Sequence, residues 1–281
     1  MTYQKTIKSL LIAGLSVASF SQLCGTASAQ EEPVTLEIEN FIGRLTIKNG
    51  DTVSVKGERA DSLSQNDNLW TVNGGEEAKV TNCREKNSRV ELSFGSWSWR
   101  GRSGGYKDLD DYPHLKVTLP ANAHLKISKS MIYGDGGDLG SAEIALDHCG
   151  DLVLGSIKEY LKLDIHGSAD FKAEGVGTAE IAIRGSGDVS LDEVGDFSFR
   201  GNGSGDVDVA AISGTTLITT NGSGDIELDD LVGNFEYSNQ GSGDLSIDHL
   251  EGSKVNIRLN GSGDVEIDSC VIETLSIKTN G

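Results

Sequence analysis

From about residue 185 onward, apolar and polar residues alternate in short runs that return at a nearly constant interval. Val189 and Leu191, Val207 and Val209, Ile226 and Leu228, Leu245 and Ile247, and Val265 and Ile267 mark the first run of each interval. Alternation with period two predicts a short strand with one face buried. A second run follows, marked by Phe197 and Phe199, Leu217 and Thr219, Phe235 and Tyr237, Val255 and Ile257, and Leu275 and Ile277. Glycine-bearing turns at Gly195, Gly214, Gly233 and Gly252 separate the two runs. Each interval therefore predicts two short strands, one side facing a narrow core and the other facing water.

The intervals are punctuated by one tetrapeptide. Gly-Ser-Gly-Asp begins at Gly185, Gly203, Gly222, Gly241 and Gly261, at spacings of 18, 19, 19 and 20 residues. Self-similarity at this period predicts a solenoid, in which each unit stacks only on its neighbours. One coil buries about four large side chains at roughly 1.5–3 kcal/mol each. Ordering its backbone costs about 1–2 kcal/mol per residue. A coil cannot fold alone, but coils stacked at about 4.8 Å share a core and a continuous ladder of hydrogen bonds. The predicted fold is all-β, a parallel β-solenoid (β-helix) with about 18–20 residues per coil.

The turn residues have a mechanical reading. Glycine permits positive φ and close backbone approach, and the Asp carboxylate accepts main-chain N–H groups in an Asx-type turn. Asn202, Asn221, Asn260 and Asn280 precede successive turns, with Gln240 in the remaining place. This register predicts a stacked amide ladder along one edge. Weaker copies of the pattern lie upstream, at Gly167-Ser168-Ala169-Asp170, Cys149-Gly150-Asp151 and Tyr133-Gly134-Asp135. Phe41 to Ile47, followed by Asn49-Gly50-Asp51, resembles the second half of a coil. Between about residues 58 and 113 the pattern lapses, which predicts a strand and loop insertion near the N-terminus of a single domain spanning 30–281.

Residues 1–29 read as a secretory signal: Lys5 and Lys8, an apolar run from Leu10 to Phe20, then the small-residue site Ala27-Ser28-Ala29. The apolar run is short for a membrane span, and no later segment is long and apolar enough for one. Cys24 follows Leu23, which is bulky where a lipid-attachment motif needs a small residue. The chain carries 43 acidic and 24 basic residues. Loss of the two signal lysines takes the formal charge from −19 to −21. Such a surface repels nucleic acid and anionic lipid and attracts cations. The expected location is outside the cytoplasm, in the periplasm, outer envelope or extracellular space.

Three cysteines follow the signal. Cys149 and Cys270 are about six coils apart, roughly 30 Å along the stack, far beyond the reach of a disulfide. Cys83 with Cys149 is open as a pair. Cys270 falls at the turn position where other coils carry Val194 and Leu250, which puts it near the core. An odd count leaves at least one thiol unpaired in a monomer.

The candidate chemistry is concentrated in the insertion. Trp70, Trp97 and Trp99 all fall there, and Arg100, Arg102 and Lys107 form a basic cluster in an acidic chain. In an extended Ser96 to Arg100, both Trp97 and Trp99 point to one face. With Tyr106 they form a stacking surface for a sugar. The competing reading has both rings cover an end or flank of the solenoid, since open strand edges aggregate. Asp108, Asp110 and Asp111 read as a solvated loop or a cation cluster. A second candidate is the row Asp188, Asp206, Asp225, Asp244 and Asp264, which in a calcium-dependent structural module would hold Ca2+ weakly. Calcium-binding β-rolls place Gly-Gly-x-Gly-x-Asp about every nine residues. Here Asp comes one residue early, with one such turn per coil. Catalysis has weaker support: a stacked row of equivalent Asp gives no divergent acid and base pair. The five histidines show no metal or triad spacing. A polysaccharide-acting β-helix enzyme is the second alternative.

The Asn-Gly-Ser-Gly-Asp turns with flanking strands, the signal, and Val117-Thr118-Leu119-Pro120-Ala121 ahead of the repeats resemble the bacterial "putative auto-transporter adhesin, head GIN domain" family and related adhesins. The resemblance implies a parallel β-solenoid at or near the cell envelope, with adhesion as its role and no catalytic residues to carry over. The expected protein is an exported, non-enzymatic binding scaffold without a cofactor, contacting a cell-surface glycan or an envelope protein.

Overall fold

Val189 and Leu191, the first run of one interval, lie buried against Val207 and Val209, the first run of the next, in parallel register. The same relation repeats through the chain and makes the fold a parallel β-solenoid of about eight turns. The computed structural model describes residues 32–57, 63–75, 80–86, 89–94 and 106–280. The residues described from Glu32 onward form one compact unit.

The strands in chain order are β1 (Thr35–Glu39), β2 (Ile42–Asn49), β3 (Ser54–Lys56), β4 (Leu63–Asn66), β5 (Leu69–Asn73), β6 (Val80–Lys86), β7 (Arg89–Phe94), β8 (Tyr106–Asp108), β9 (His114–Leu119) and β10 (His124–Asp135). There follow β11 (Leu139–Leu154), β12 (Ile157–Ile183), β13 (Val189–Gly201), β14 (Val207–Ile212), β15 (Thr216–Thr220), β16 (Ile226–Val232), β17 (Phe235–Asn239), β18 (Leu245–Leu259) and β19 (Val265–Thr279). Several of these bend around a corner, so that one strand contributes to two walls.

Each coil has three sides. One wall stacks Phe197 and Phe199 between the preceding Ala179 and Ile181 and the following Thr216 and Ile218. The wall after each Gly-Ser-Gly-Asp turn stacks Phe171, Val189, Val207, Ile226 and Leu245. A short third side stacks Val176, Val194, Ile212, Leu231 and Leu250, all buried. The core is the column of aliphatic and aromatic side chains where the three sides meet.

The register differs from the sequence reading in one coil. Leu217 and Thr219 face outward, Leu217 at 40% exposure, while Thr216, Ile218 and Thr220 point in. Pairing of Phe197 with Thr216 below and of Thr216 with Phe235 above sets this alignment. A one-residue slip would turn the whole strand inside out. The Ile42 to Ile47 segment is likewise reassigned: β2 pairs with Met131 to Asp135, on the wall that follows the turns, and is thus the first run of its coil. Its second-run partner is β1, which pairs with His124 to Ser128.

The two ends differ. At the N-terminal end β5 extends the wall beyond β1 and carries antiparallel β4, while β9 extends the other wall beyond β2 and carries antiparallel β3. Trp70, Leu63, Val53 and Val55 pack over the core there. The covering role read for Trp97 and Trp99 falls on residues outside those described, whereas Trp70 does help cover this end. At the C-terminal end β19 pairs with β18 and, among the described residues, with nothing beyond it. Cys270 stands in register with Leu250 on the third side, but it is exposed rather than buried, since among the described residues no coil is stacked over β19.

Within the stretch where the repeat lapses, β4 and β5 belong to the main sheet. Strands β6, β7 and β8 form a separate antiparallel sheet. That sheet lies on the flank, where Leu92 and Leu109 pack with Ile42, Met131 and Cys149. A disulfide joins Cys83 to Cys149, with the Cα atoms 6.4 Å apart.

Candidate functional site

Close stacking of the turns explains their glycines. A Cβ on Gly203 would collide with the carbonyl oxygen of Gly185 one coil below, and a Cβ on Gly205 with that of Gly187. The same holds for Gly222 over Gly203 and for Gly241 over Gly222. None of these turn glycines has positive φ, so close approach, rather than a left-handed backbone, is what demands them.

The Asp that closes each turn reaches across coils and not within its own turn. The Oδ1 of Asp170 accepts the main-chain N–H of Asp188 at 2.9 Å, and Asp188 accepts that of Asp206 at 2.9 Å. Asp206, Asp225 and Asp244 accept from Asp225, Asp244 and Asp264, each at 2.8 Å. A carboxylate accepting N–H is a charge-assisted bond, stronger than a neutral one. The same kind of bond occurs at two other corners: Asn49 accepts from Asp138 and Asp138 from Ser156 at one, and Asp196 accepts from Thr215 at the other. The amide ladder read from the asparagines has one side-chain bond of this kind, Asn280 Nδ2 to Asn260 Oδ1 at 2.8 Å.

The turn aspartates form one bank of an open groove of about 760 Å3. Its floor and other bank come from the outward residues of the adjoining wall: Lys172, Ser190, Asp208, Glu227, Ser246 and Glu266. Among the described residues, Lys172 is the one basic residue lining it. Partial burial pushes the Asp170 carboxyl above the usual range for an aspartate, the N–H of Asp188 opposes this, and the Asp188 and Asp151 carboxylates add to the rise. Aligned carboxylates about 4.8 Å apart repel one another through solvent. The groove therefore offers a line of negative charge. Among the described residues, no three His, Cys, Asp or Glu side chains converge to hold a metal ion.

The structure also joins residues that lie far apart in sequence. His124 Nδ1 is 2.6 Å from Ser141 Oγ, and His124 Nε2 is 3.7 Å from Glu143 Oε1. Burial lowers the His124 pKa, Glu143 opposes this, and Lys126 adds to the lowering. The set resembles a nucleophile, base and carboxylate in order, but 3.7 Å exceeds a working hydrogen bond. The parallel ladders flanking β10 and β11 engage the main-chain N–H groups that would have to stabilise an oxyanion. Thr46, His114 and Asp135 form a smaller polar group, with Thr46 Oγ1 3.0 Å from His114 Nε2.

Of the residues read as a glycan surface, Trp97, Trp99, Arg100 and Arg102 lie outside the described residues. Tyr106 opens β8 and pairs with Ser93. Beside it, Lys107 lies over the Tyr112 ring, 5.9 Å from its centroid. The nearby acids have structural partners: Asp108 accepts the N–H of Asp110, and Asp110 receives Arg44 through two nitrogens at 2.8 and 3.0 Å.

Residues 178–281 match the family described as "putative auto-transporter adhesin, head GIN domain". The match covers the coils that bear the regular turns, while the signal and Val117 to Ala121, which also carry the sequence resemblance, lie outside it. No curated protein matches the chain. Among solved structures, a "putative cell adhesion protein" from Clostridium sporogenes aligns at 10% identity over 89% of this chain and 93% of that one, with a TM-score of 0.15, which carries no argument.

Proposed function

We propose that the protein is an exported, non-enzymatic β-solenoid that acts at the cell envelope as an adhesin-like binding scaffold. The observation that carries this reading is the unbroken coil-to-coil ladder, in which main-chain groups and turn carboxylates serve stacking. A stack of this kind displays side chains along its walls, and the groove beside the turns is open rather than enclosed. The family match over residues 178–281 and the signal-like N-terminus support the same reading.

The finer reading assigns a cell-surface glycan to Trp97, Trp99 and Tyr106, with Arg100 and Arg102 beside them. Its support is the root of this segment, since the sheet of β6, β7 and β8 is fastened to the solenoid by Cys83–Cys149 and by Leu92 and Leu109. The described strands on either side of those residues are thus held against the solenoid. The test is a broad glycan panel probed with residues 30–281 and with the Trp97→Ala/Trp99→Ala variant. Binding that vanishes in the variant supports the assignment, and binding that survives moves the site elsewhere. Absence of any binding turns the search toward an envelope protein.

A second reading, a calcium-dependent module, has the acidic groove in its favour. Against it stands the geometry of Asp188, Asp206, Asp225 and Asp244, each of which already accepts a main-chain N–H through Oδ1.

A further inference from the structure

We propose that Asn202 and Asn221 are sites of spontaneous self-modification: each loses its side-chain amide to attack by the main-chain nitrogen of the glycine that follows, and ends as aspartate or isoaspartate. The inference goes beyond the binding role and does not depend on it. Among the described residues, Asn–Gly pairs stand at Asn49, Asn73, Asn202, Asn221 and Asn260. Their local chemistry is alike, because the following glycine has no Cβ to obstruct the approach of its nitrogen to the Asn Cγ. The fold divides them.

At the first two pairs the reacting groups are held. The Gly50 N–H donates to the Leu119 carbonyl at 2.9 Å, while Asn49 Oδ1 accepts the N–H of Asp138 and Asn49 Nδ2 donates to the Asp138 carbonyl at 2.7 Å. The Gly74 N–H donates to the Glu39 carbonyl at 2.9 Å, and Asn73 Oδ1 accepts the N–H of Gly75. Asn202 and Asn221 instead lie just past the ends of β13 and β15, and both are exposed. The coil ladder takes the N–H groups on either side of the glycine: Asn202 donates to Ile183 and Ser204 to Gly185, Asn221 to Gly201 and Ser223 to Gly203. The Gly203 and Gly222 N–H groups between them make no hydrogen bond among the described residues, and neither do the Asn202 and Asn221 side chains. Asn260 shares the free glycine N–H, but its Oδ1 accepts from Asn280. Gln240 carries its amide one carbon further out, and the Gly241 N–H is held by Asn239 Oδ1 at 2.6 Å.

The step balances with water as the sole co-reactant. The Gly203 nitrogen gives its proton to solvent and bonds to Asn202 Cγ; the Cγ–Nδ2 bond breaks, and ammonia leaves. Water then opens the cyclic imide at either carbonyl, and nothing is oxidised or reduced. Aspartate adds a negative charge to the turn that Asp206 closes. Isoaspartate puts Cβ into the main chain, lengthening a corner where Gly203 already stands against the Gly185 carbonyl and Gly222 against that of Gly203. The modified stack is more acidic and less tightly packed.

The test is incubation of residues 30–281 in warm, mildly alkaline buffer, followed by peptide mass spectrometry and chromatographic separation of the aspartate and isoaspartate forms at each site. Conversion at Asn202 and Asn221 is expected to be at least about tenfold faster than at Asn49 and Asn73, the ratio that about 1.4 kcal/mol of barrier gives. In urea, where no fold distinguishes the pairs, the rates are expected to converge. The wild-type melting temperature should fall as conversion proceeds. That of Asn202→Gln/Asn221→Gln, which copies the amide at Gln240, should hold its starting value under the same treatment. Rates at Asn202 and Asn221 that match or lag those at Asn49 and Asn73 in the folded protein overturn the proposal. A difference that persists undiminished in urea also overturns it, since it would belong to the flanking residues and not to the fold. Conversion that leaves the wild-type melting temperature unchanged overturns the loosening of the stack.

Discussion

The Oδ1 of Asp206 accepts the main-chain N–H of Asp225, one coil further along, at 2.8 Å. Since this is the acceptor, and not the charge, that the ladder uses, the two simplest substitutions separate. Asp206→Ala leaves the Asp225 N–H without its partner and is expected to cost about 1–3 kcal/mol in urea denaturation. Asp206→Asn keeps an oxygen acceptor and removes repulsion from Asp188 and Asp225, and is expected to be neutral or stabilising. Equal destabilisation by both would show that the negative charge itself is needed.

Gly203 faces the Gly185 carbonyl so closely that Gly203→Ala must push two backbones apart. Backbone at this depth in the stack cannot yield as a side chain does, and a loss of at least about 1–3 kcal/mol is expected. Gly175→Ala is the control, because a Cβ there meets the Ser156 side chain no closer than 3.5 Å. Thermal melts of the two variants should differ clearly, and similar melts would mean that the turns relax.

Thr216 shows where the sequence was legible and where it was not. The period, the two-run coil and the inward placement of residues such as Val207 and Tyr237 follow from local alternation and turn chemistry. The strand at 216–220 was misread because Leu217 is the most apolar residue in it, whereas the packing of Phe197 and Phe235 against Thr216 decides the alignment. The contact of His124 with Ser141, like the bonds between successive turn aspartates, links positions on adjacent coils, so no local spacing announces either. Cys83 and Cys149 met for a similar reason: the sheet that brings them together is not part of the repeat.

The misread strand carries its own prediction. Thr216 Oγ1 is buried and has no hydrogen-bond partner among the described residues. Thr216→Val keeps the branched shape and deletes the unsatisfied hydroxyl. A gain of about 1 kcal/mol is expected from chemical denaturation. A loss would mean that a water molecule or a shifted backbone satisfies the group.

Asp170 gives a pH dependence with a definite sign. Its carboxyl has a folded pKa above the ordinary value of 3.8. Between the unfolded and folded values the native state holds a proton that the unfolded chain has lost, so stability from this group falls as pH rises through that window. Its contribution is most favourable below the unfolded value and is lost above the folded one. Asp170→Asn retains an acceptor for the Asp188 N–H and carries no charge. The variant should be more stable than wild type at pH 7, and the difference should shrink on acidification and vanish near pH 3. A difference that grows toward low pH would reverse the assignment.

The acidic groove predicts how ions act on the whole rod. Carboxylates on neighbouring coils are about 4.8 Å apart, closer than the screening length of about 10 Å at 0.1 M salt and longer than that of about 3 Å at 1 M. Repulsion along the groove therefore persists at moderate salt, and the melting temperature should keep rising with NaCl toward 1 M. Calcium at matched ionic strength should add little, because the turn carboxylates already accept N–H groups and no three acid, His or Cys side chains converge among the described residues. The decisive comparison is between melts with calcium, with a chelator, and with NaCl of equal ionic strength. A calcium-specific rise of several degrees, abolished in Asp206→Asn/Asp225→Asn, would overturn the view that the aspartate row serves stacking and restore the calcium-dependent module.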